Sequence, residues 1–275
     1  MNTENYKDLD ILINFYSEIH KSIEGKFLNG FNGIEYSESI ARKTFLHICS
    51  AYSLSKGINI QLKDNSKIKL VDSSSVAVLV RASIESYLTF NHIFISPITE
   101  SESKYRFDCW DLAGFIERQD FQATEERSIL RKKEEAKLIQ EKLKIIRKSP
   151  HFIEISEKQK KQIEKGKWKI NFNWNQLAVN AGFEENYFKD FYSYLCSYAH
   201  TGRLSSLQTM QATEYKQQKD SAEKFLIHSL IILAKYIYDY VHLIPQLKPT
   251  FEKNILGKNT VLRWKEIGEG LKKNN

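Results

Sequence analysis

DSSSVAVLVRASIESYLTFNHIFI, residues 72–95, is apolar on nearly every side of a helical wheel. A helix apolar over most of its circumference belongs in the middle of a bundle, because any surface orientation would leave apolar side chains in water. Asp72 and the three serines after it offer side-chain oxygens to the unpaired N–H groups of a first helical turn. The stretch predicts a central helix, and the rest of the chain has to supply the helices around it.

It does so on both sides. Apolar residues recur at helical spacing over 5–24, closed by Gly25 or Gly30, and over 36–55, closed by Gly57. Further helices are predicted over 99–123 and 125–148, the latter with Ala136, Ile139, Leu143 and Ile146 on one face. A basic helix is predicted from Pro150 to about Lys165, and a short one from Asn175 to Ala181, ending at Gly182. Residues 184–201 form the next, with Gly202 placed as a left-handed residue beyond its end. A long helix over about 218–244 stops at Pro245. Residues 58–71 alternate and are turn-rich, which fits a short hairpin or a connector. Gly (11) and Pro (4) are scarce, which argues against sandwiches and barrels. The expected fold is all-α: one domain over 1–275, a bundle of seven or eight mostly long helices. Its core would span 70–245, with the helices of 1–57 packed on it and a basic tail over 248–275.

Apolar residues at 41% and charged residues at 27% are ordinary for a globular protein. Cys49, Cys109 and Cys196 are odd in number and lack metal-ligand spacing, which points away from disulfides and structural zinc and toward a reducing cytoplasm. MNTENYKDLD is polar and acidic, unlike a secretory leader, and Phe225–Ile244 is interrupted by Lys235 and Asp239, too polar for a span. A cytoplasmic protein without membrane contact is expected.

The net charge of +7 is concentrated: residues 127–169 hold fifteen Lys/Arg against six Glu, so the remainder of the chain is slightly acidic. Such a patch can track a phosphate backbone, and Arg131, Lys132, Lys133, Lys144, Arg147, Lys148, Lys160 and Lys161 are its candidate RNA contacts. The commoner fate of a charge run is a solvated face.

Two polar stripes stand out. Ser74, Arg81, Glu85 and His92 fall on one face of the central helix, and Asp190, Ser193, Ser197 and His200 on one face of 184–201. Burying an arginine and a glutamate is costly unless each has a partner. His200 sits in a last turn, where the helix dipole favours a protonated imidazole and where a proton could be exchanged near neutral pH. The same stripes would equally serve as a structural network fixing helix register, with Tyr192, Tyr194 and Tyr198 as core rings. No phosphate-binding loop, dinucleotide fingerprint, H-E-x-x-H or nucleophile elbow occurs, and no metal or cofactor is implied.

RASIESYLTFNHIF, then QLAVNAGF, then YFKDFYSYLCSYAHTG resemble a bacterial family of helical proteins known as a domain of unknown function. The shared pattern is R-x-x-x-E, here Arg81 and Glu85, followed by a tyrosine- and leucine-bearing segment running from Tyr187 through Phe191, Tyr194 or Leu195 and Cys196 to His200. The likeness covers about 70–245 and implies an all-helical fold. At longer range it is similar to the HEPN bundles, many of them ribonucleases of toxin and phage-defence systems, usually completed across a dimer. Their R-x4-6-H motif has one match, Arg42 to His47, whereas near His200 the arginine follows as Arg203. The resemblance implies an RNA-directed, metal-independent enzyme, with His200 as general acid or base, Arg81 or Arg203 on the phosphate, and Glu85 orienting them. It would act with a second copy or a partner defence protein. The rival expectation is a non-catalytic helical sensor or adaptor binding protein or nucleic acid, in which Arg81, Glu85 and His200 form a structural network.

Overall fold

The computed structural model describes residues 3–26, 28, 33–170 and 172–270. It is all-helical apart from one two-stranded hairpin. In chain order the elements are α1 (Thr3–Ile23), α2 (Glu35–Ser55), β1 (Ile58–Gln61), β2 (Lys67–Leu70), α3 (Ser73–Phe90), α4 (Glu100–Gln119), α5 (Glu126–Arg147), α6 (Pro150–Ile153) and α7 (Glu157–Glu164). They continue as α8 (Trp174–Asn180), α9 (Glu185–Ala199), α10 (Arg203–Gln211), α11 (Tyr215–Leu243), α12 (Lys248–Lys253) and α13 (Ile255–Gly270). A π turn, Asn91–Ile95, prolongs α3, and a 3₁₀ turn, Pro245–Leu247, follows α11. Two compact units result: residues up to 29, 34–91 and from 174 onward in the first, and 30–33 with 92–173 in the second.

In the first unit the central helix forms as its sequence dictates. Asp72 caps α3 by accepting the Ser75 N–H at 2.9 Å. Val76, Ala77, Val80, Ile84, Tyr87 and Leu88 are buried, and α3 packs on α2, α9 and α11. Tyr87 and Tyr236 are wholly buried; the Tyr87 hydroxyl donates to Asp239 at 2.9 Å, and Phe90 stacks on Tyr236. The hairpin expected over 58–71 is antiparallel, with Ile58 opposite Leu70. Gly57 and Gly182 close α2 and α8 with φ of +90° and +91°.

Four expectations change. Among the described residues there are thirteen α-helices rather than seven or eight. The helix read from Pro150 to Lys165 is two, because Ser156 and Gln159 form a reciprocal capping box that starts α7 afresh after α6. The left-handed residue after α9 is Thr201, with φ +53°, whereas Gly202 is extended and caps α10. A Cβ on Gly202 would lie 3.0 Å from Ser197 Oγ, so the glycine permits the close turn between α9 and α10. The tail also adds helices: Trp264 of α13 is buried and donates to Asp8 of α1 at 2.9 Å, and Arg263 pairs with the same carboxylate.

The second unit is built on α4 to α7. Cys109 and Leu112 meet Leu143, Ile146, Phe152 and Ile163, with Ile116, Ile139, Trp168 and Ile170 packed alongside. Leu143 and Ile146 of the predicted α5 stripe are buried, Ile139 is half-buried and Ala136 is exposed. Among the described residues no helix is long and apolar enough to cross a membrane.

Candidate functional site

Arg81 and Glu85 lie one turn apart on α3, so their side chains emerge together. Arg81 Nε donates to Glu85 Oε1 at 2.8 Å, and the Tyr192 hydroxyl of α9 donates to the same oxygen at 2.6 Å. The guanidinium carbon stands 5.6 Å from the Tyr192 ring centroid. Its remaining edge faces the end of α9, where Arg81 NH1 is 3.4 Å from His200 Nε2. The two stripes therefore meet. A guanidinium can only donate, so in this arrangement Nε2 accepts and Nδ1 carries the proton. His200 is exposed, and its backbone N–H closes α9 on the Cys196 carbonyl at 3.1 Å.

Partial burial alone would lower the Arg81 pKa, but the Tyr192 side chain and the Glu85 carboxylate reverse this and raise it. The Tyr192 phenol is pushed up, first by burial and then by the Glu85 carboxylate. What results is a fixed cation, an immobilised carboxylate behind it, and an imidazole in front of it that solvent can reach.

Tyr192, expected as a core ring, holds the carboxylate in place. The hint available in the sequence is its position about two turns before His200 on the same helix. Tyr194 and Tyr198 are the packing residues: both hydroxyls donate to Gln208 Oε1 at 2.7 Å, and Tyr198 is buried. Asp190 and Ser193 are exposed, and Ser197 accepts the Ser205 N–H of α10 at 3.3 Å. Arg203 opens α10 and is exposed; its side chain has no hydrogen bond or ion pair among the described residues. His92, placed on the Arg81 stripe by periodicity, lies in the π turn and bonds instead to Arg106. Arg42 is exposed on α2, and the His47 Nε2 is buried without a partner among the described residues. Burial, then Lys43, lowers the His47 pKa.

The eight basic candidates lie in the second unit, and half of them are engaged within the chain. Arg131 pairs with Glu135, Arg147 with Glu164 and Lys160 with Glu157, while Lys132 Nζ donates to the Gln119 and Phe121 carbonyls at 2.6 Å. Lys133, Lys144, Lys148 and Lys161 are exposed and have no ion-pair partner among the described residues.

The chain belongs to a family of unknown function, DUF5677, which matches residues 44–218 and so includes α3, α9 and every residue of the Arg81 site. No curated protein and no solved structure matches the chain.

Proposed function

We propose that the Arg81–Glu85–Tyr192–His200 cluster is the active site of an endoribonuclease that needs no metal. The observation that carries the reading is an exposed imidazole nitrogen 3.4 Å from a guanidinium held in place from behind. In the proposed reaction the phosphate takes over the Arg81 NH1 donor, and the His200 Nε2 lone pair so released takes the proton of an RNA 2′-hydroxyl as O2′ bonds to the adjacent phosphorus. The bond from phosphorus to O5′ breaks, and the imidazolium returns the proton to the departing oxygen, leaving a 2′,3′-cyclic phosphate and a 5′-hydroxyl. Arg81 stabilises the extra charge on the phosphoryl oxygens, and an arginine already fixed by Glu85 needs no reorganisation to do so. Arg203, at the start of α10, is a second candidate cation for the phosphate. Lys133, Lys144, Lys148 and Lys161 of the second unit are candidates of their own for contact with an RNA backbone, without sequence preference.

The test is incubation of the protein and its His200→Ala variant, matched for melting temperature, with total RNA in EDTA. Cleavage by wild type alone, with cyclic-phosphate ends, is the expected result. Cleavage by neither leaves the second reading, a binding protein in which the short Tyr192–Glu85 bond ties α9 to α3.

A further inference from the structure

The second unit carries a cavity of about 320 Å³ whose lining includes His92, Glu102, Tyr105, Arg106, Trp168 and Phe172. The volume is at the lower end of small-molecule sites, about 300–1,000 Å³. One polar network sits in its wall. Arg106 NH2 donates to Glu102 at 2.6 Å, and NH1 donates to the His92 carbonyl and Ser96 Oγ at 2.8 Å each. The same NH1 lies 3.2 Å from His92 Nδ1. Since arginine has no acceptor, Nδ1 must accept.

That contact fixes the histidine. His92 is 5% exposed. Burial, then Arg106 and Lys169, push it down to about 3, so the ring is neutral and its proton resides on Nε2. Nε2 has no hydrogen-bond partner among the described residues, and the ring lines the cavity. The ring itself packs 5.7 Å from Trp168 and 5.4 Å from Phe172, both of which line the cavity. Glu102 supplies the complementary group. Burial alone would raise its pKa, but the Ile98 N–H and Arg106 outweigh that and hold it ionised. Its two oxygens spend one bond each on these partners, at 3.0 and 2.6 Å, and retain capacity to accept more.

The lining therefore combines flat aromatic faces with the His92 N–H donor and the Glu102 carboxylate, and His151, Glu154 and Tyr105 add further polar groups. A hydrocarbon would leave the His92 N–H unmet, an inorganic anion would meet the Glu102 carboxylate, and a simple cation would meet Arg106. A planar molecule carrying both N–H donors and ring or carbonyl acceptors meets His92 and Glu102 together. We propose that this cavity binds a nucleobase, stacked against Trp168 and Phe172, with its N–H edge on Glu102 and an acceptor on His92 Nε2. The base arrives either as a free nucleoside or unstacked from an RNA strand. Purines, with the larger stacking face, should bind more tightly than pyrimidines. The inference is independent of the cleavage reading for Arg81 and His200.

Adenosine, guanosine, cytidine, uridine and a mixed-sequence single-stranded RNA oligonucleotide are titrated separately into the full chain, followed by calorimetry and by tryptophan fluorescence. Trp168→Leu and Glu102→Gln are measured alongside, each checked against the wild-type melting temperature; if one fails to fold, the other decides. Saturable purine-nucleoside binding, weakened at least tenfold in a folded variant, supports a free-nucleoside site. Binding of the oligonucleotide alone, weakened the same way, supports a base presented by a strand. Loss of the fluorescence response in Trp168→Leu, with Trp110, Trp174 and Trp264 still present, would place the ligand at this ring. No saturation by any probe up to about 1 mM, or binding that both folded variants leave unchanged, overturns the proposal.

Discussion

The chain contains the same trio twice. Arg81, Glu85 and His200 in the first unit correspond to Arg106, Glu102 and His92 in the second: an arginine, a glutamate one helical turn away, and a histidine against the guanidinium at 3.4 and 3.2 Å. The ion pairs themselves are alike, with side-chain exposures of 22% and 27% for one and 17% and 22% for the other. The histidines differ. His200 stands in solvent at a helix end, while His92 is buried in a π turn between aromatic rings. The Arg–Glu pair serves as a bracket in both cases, and burial of the imidazole decides whether it can exchange a proton with solvent or only hold a fixed hydrogen-bond pattern.

Truncating the two arginines should separate these roles most sharply. Arg106→Ala removes four hydrogen bonds at once and leaves the Glu102 carboxylate with the Ile98 N–H alone, so a loss of roughly 3–5 kcal/mol is expected. Arg81→Ala removes the contacts to Glu85, His200 and the Tyr192 ring and should destabilise by about 1–3 kcal/mol. On the proposed reaction, Arg81→Ala should instead cost about 10²–10³-fold in the cleavage rate. Urea denaturation and single-turnover cleavage of both variants give the answer. Equal destabilisation, with cleavage falling only in step with the folded fraction, would make both trios structural.

Acid should act on the buried trio. An unfolded chain has His92 at its ordinary value of 6.5, whereas in the folded unit it is pushed down to about 3. The unfolded state then binds a proton that the folded state refuses. The stability this group contributes is complete above about pH 6.5 and is lost as pH falls toward 3, at roughly 1.4 kcal/mol per pH unit. Half-buried His228, stacked on Phe191 and also lowered to about 3 by burial, adds in the same direction. Urea midpoints at pH 7.5 and pH 5 should differ by an amount that His92→Gln reduces. An unchanged midpoint in the wild type would mean that His92 is not held neutral.

The first trio was legible in the sequence and the second was not. Arg81, Glu85 and His200 announce themselves because polar residues on otherwise apolar helices break a strong 3.6-residue pattern. His92 was assigned to that pattern by continuing an α-helical phase past Phe90, but the π turn over Asn91–Ile95 changes the phase, and no local residue signals it. Tyr192 was invisible as a bracket for a different reason: a tyrosine among aromatics reads as packing, and only the placement of α9 on α3 brings its hydroxyl to Glu85. The helix type of the long segments came through, while breaks such as the one before Ser156 depended on a capping box inside a basic run.

The mildest change bears on whether the bracket is graded. Tyr192→Phe removes one hydrogen bond to Glu85 and leaves Arg81 paired, so a loss of about 0.5–1.5 kcal/mol is expected. Cleavage should fall less than tenfold, because the phenol touches neither His200 nor the site of reaction. Glu85→Gln with Tyr192→Phe, taken as a double-mutant cycle, should give a coupling of about 0.5–3 kcal/mol in stability. If Glu85 orients Arg81 for phosphate, the cycle in cleavage should show coupling as well, since a slack Arg81 affects the rate only after Glu85 loses its hold. Coupling in stability alone would confine Tyr192 to tying α9 against α3 and leave the orientation of Arg81 to Glu85 by itself.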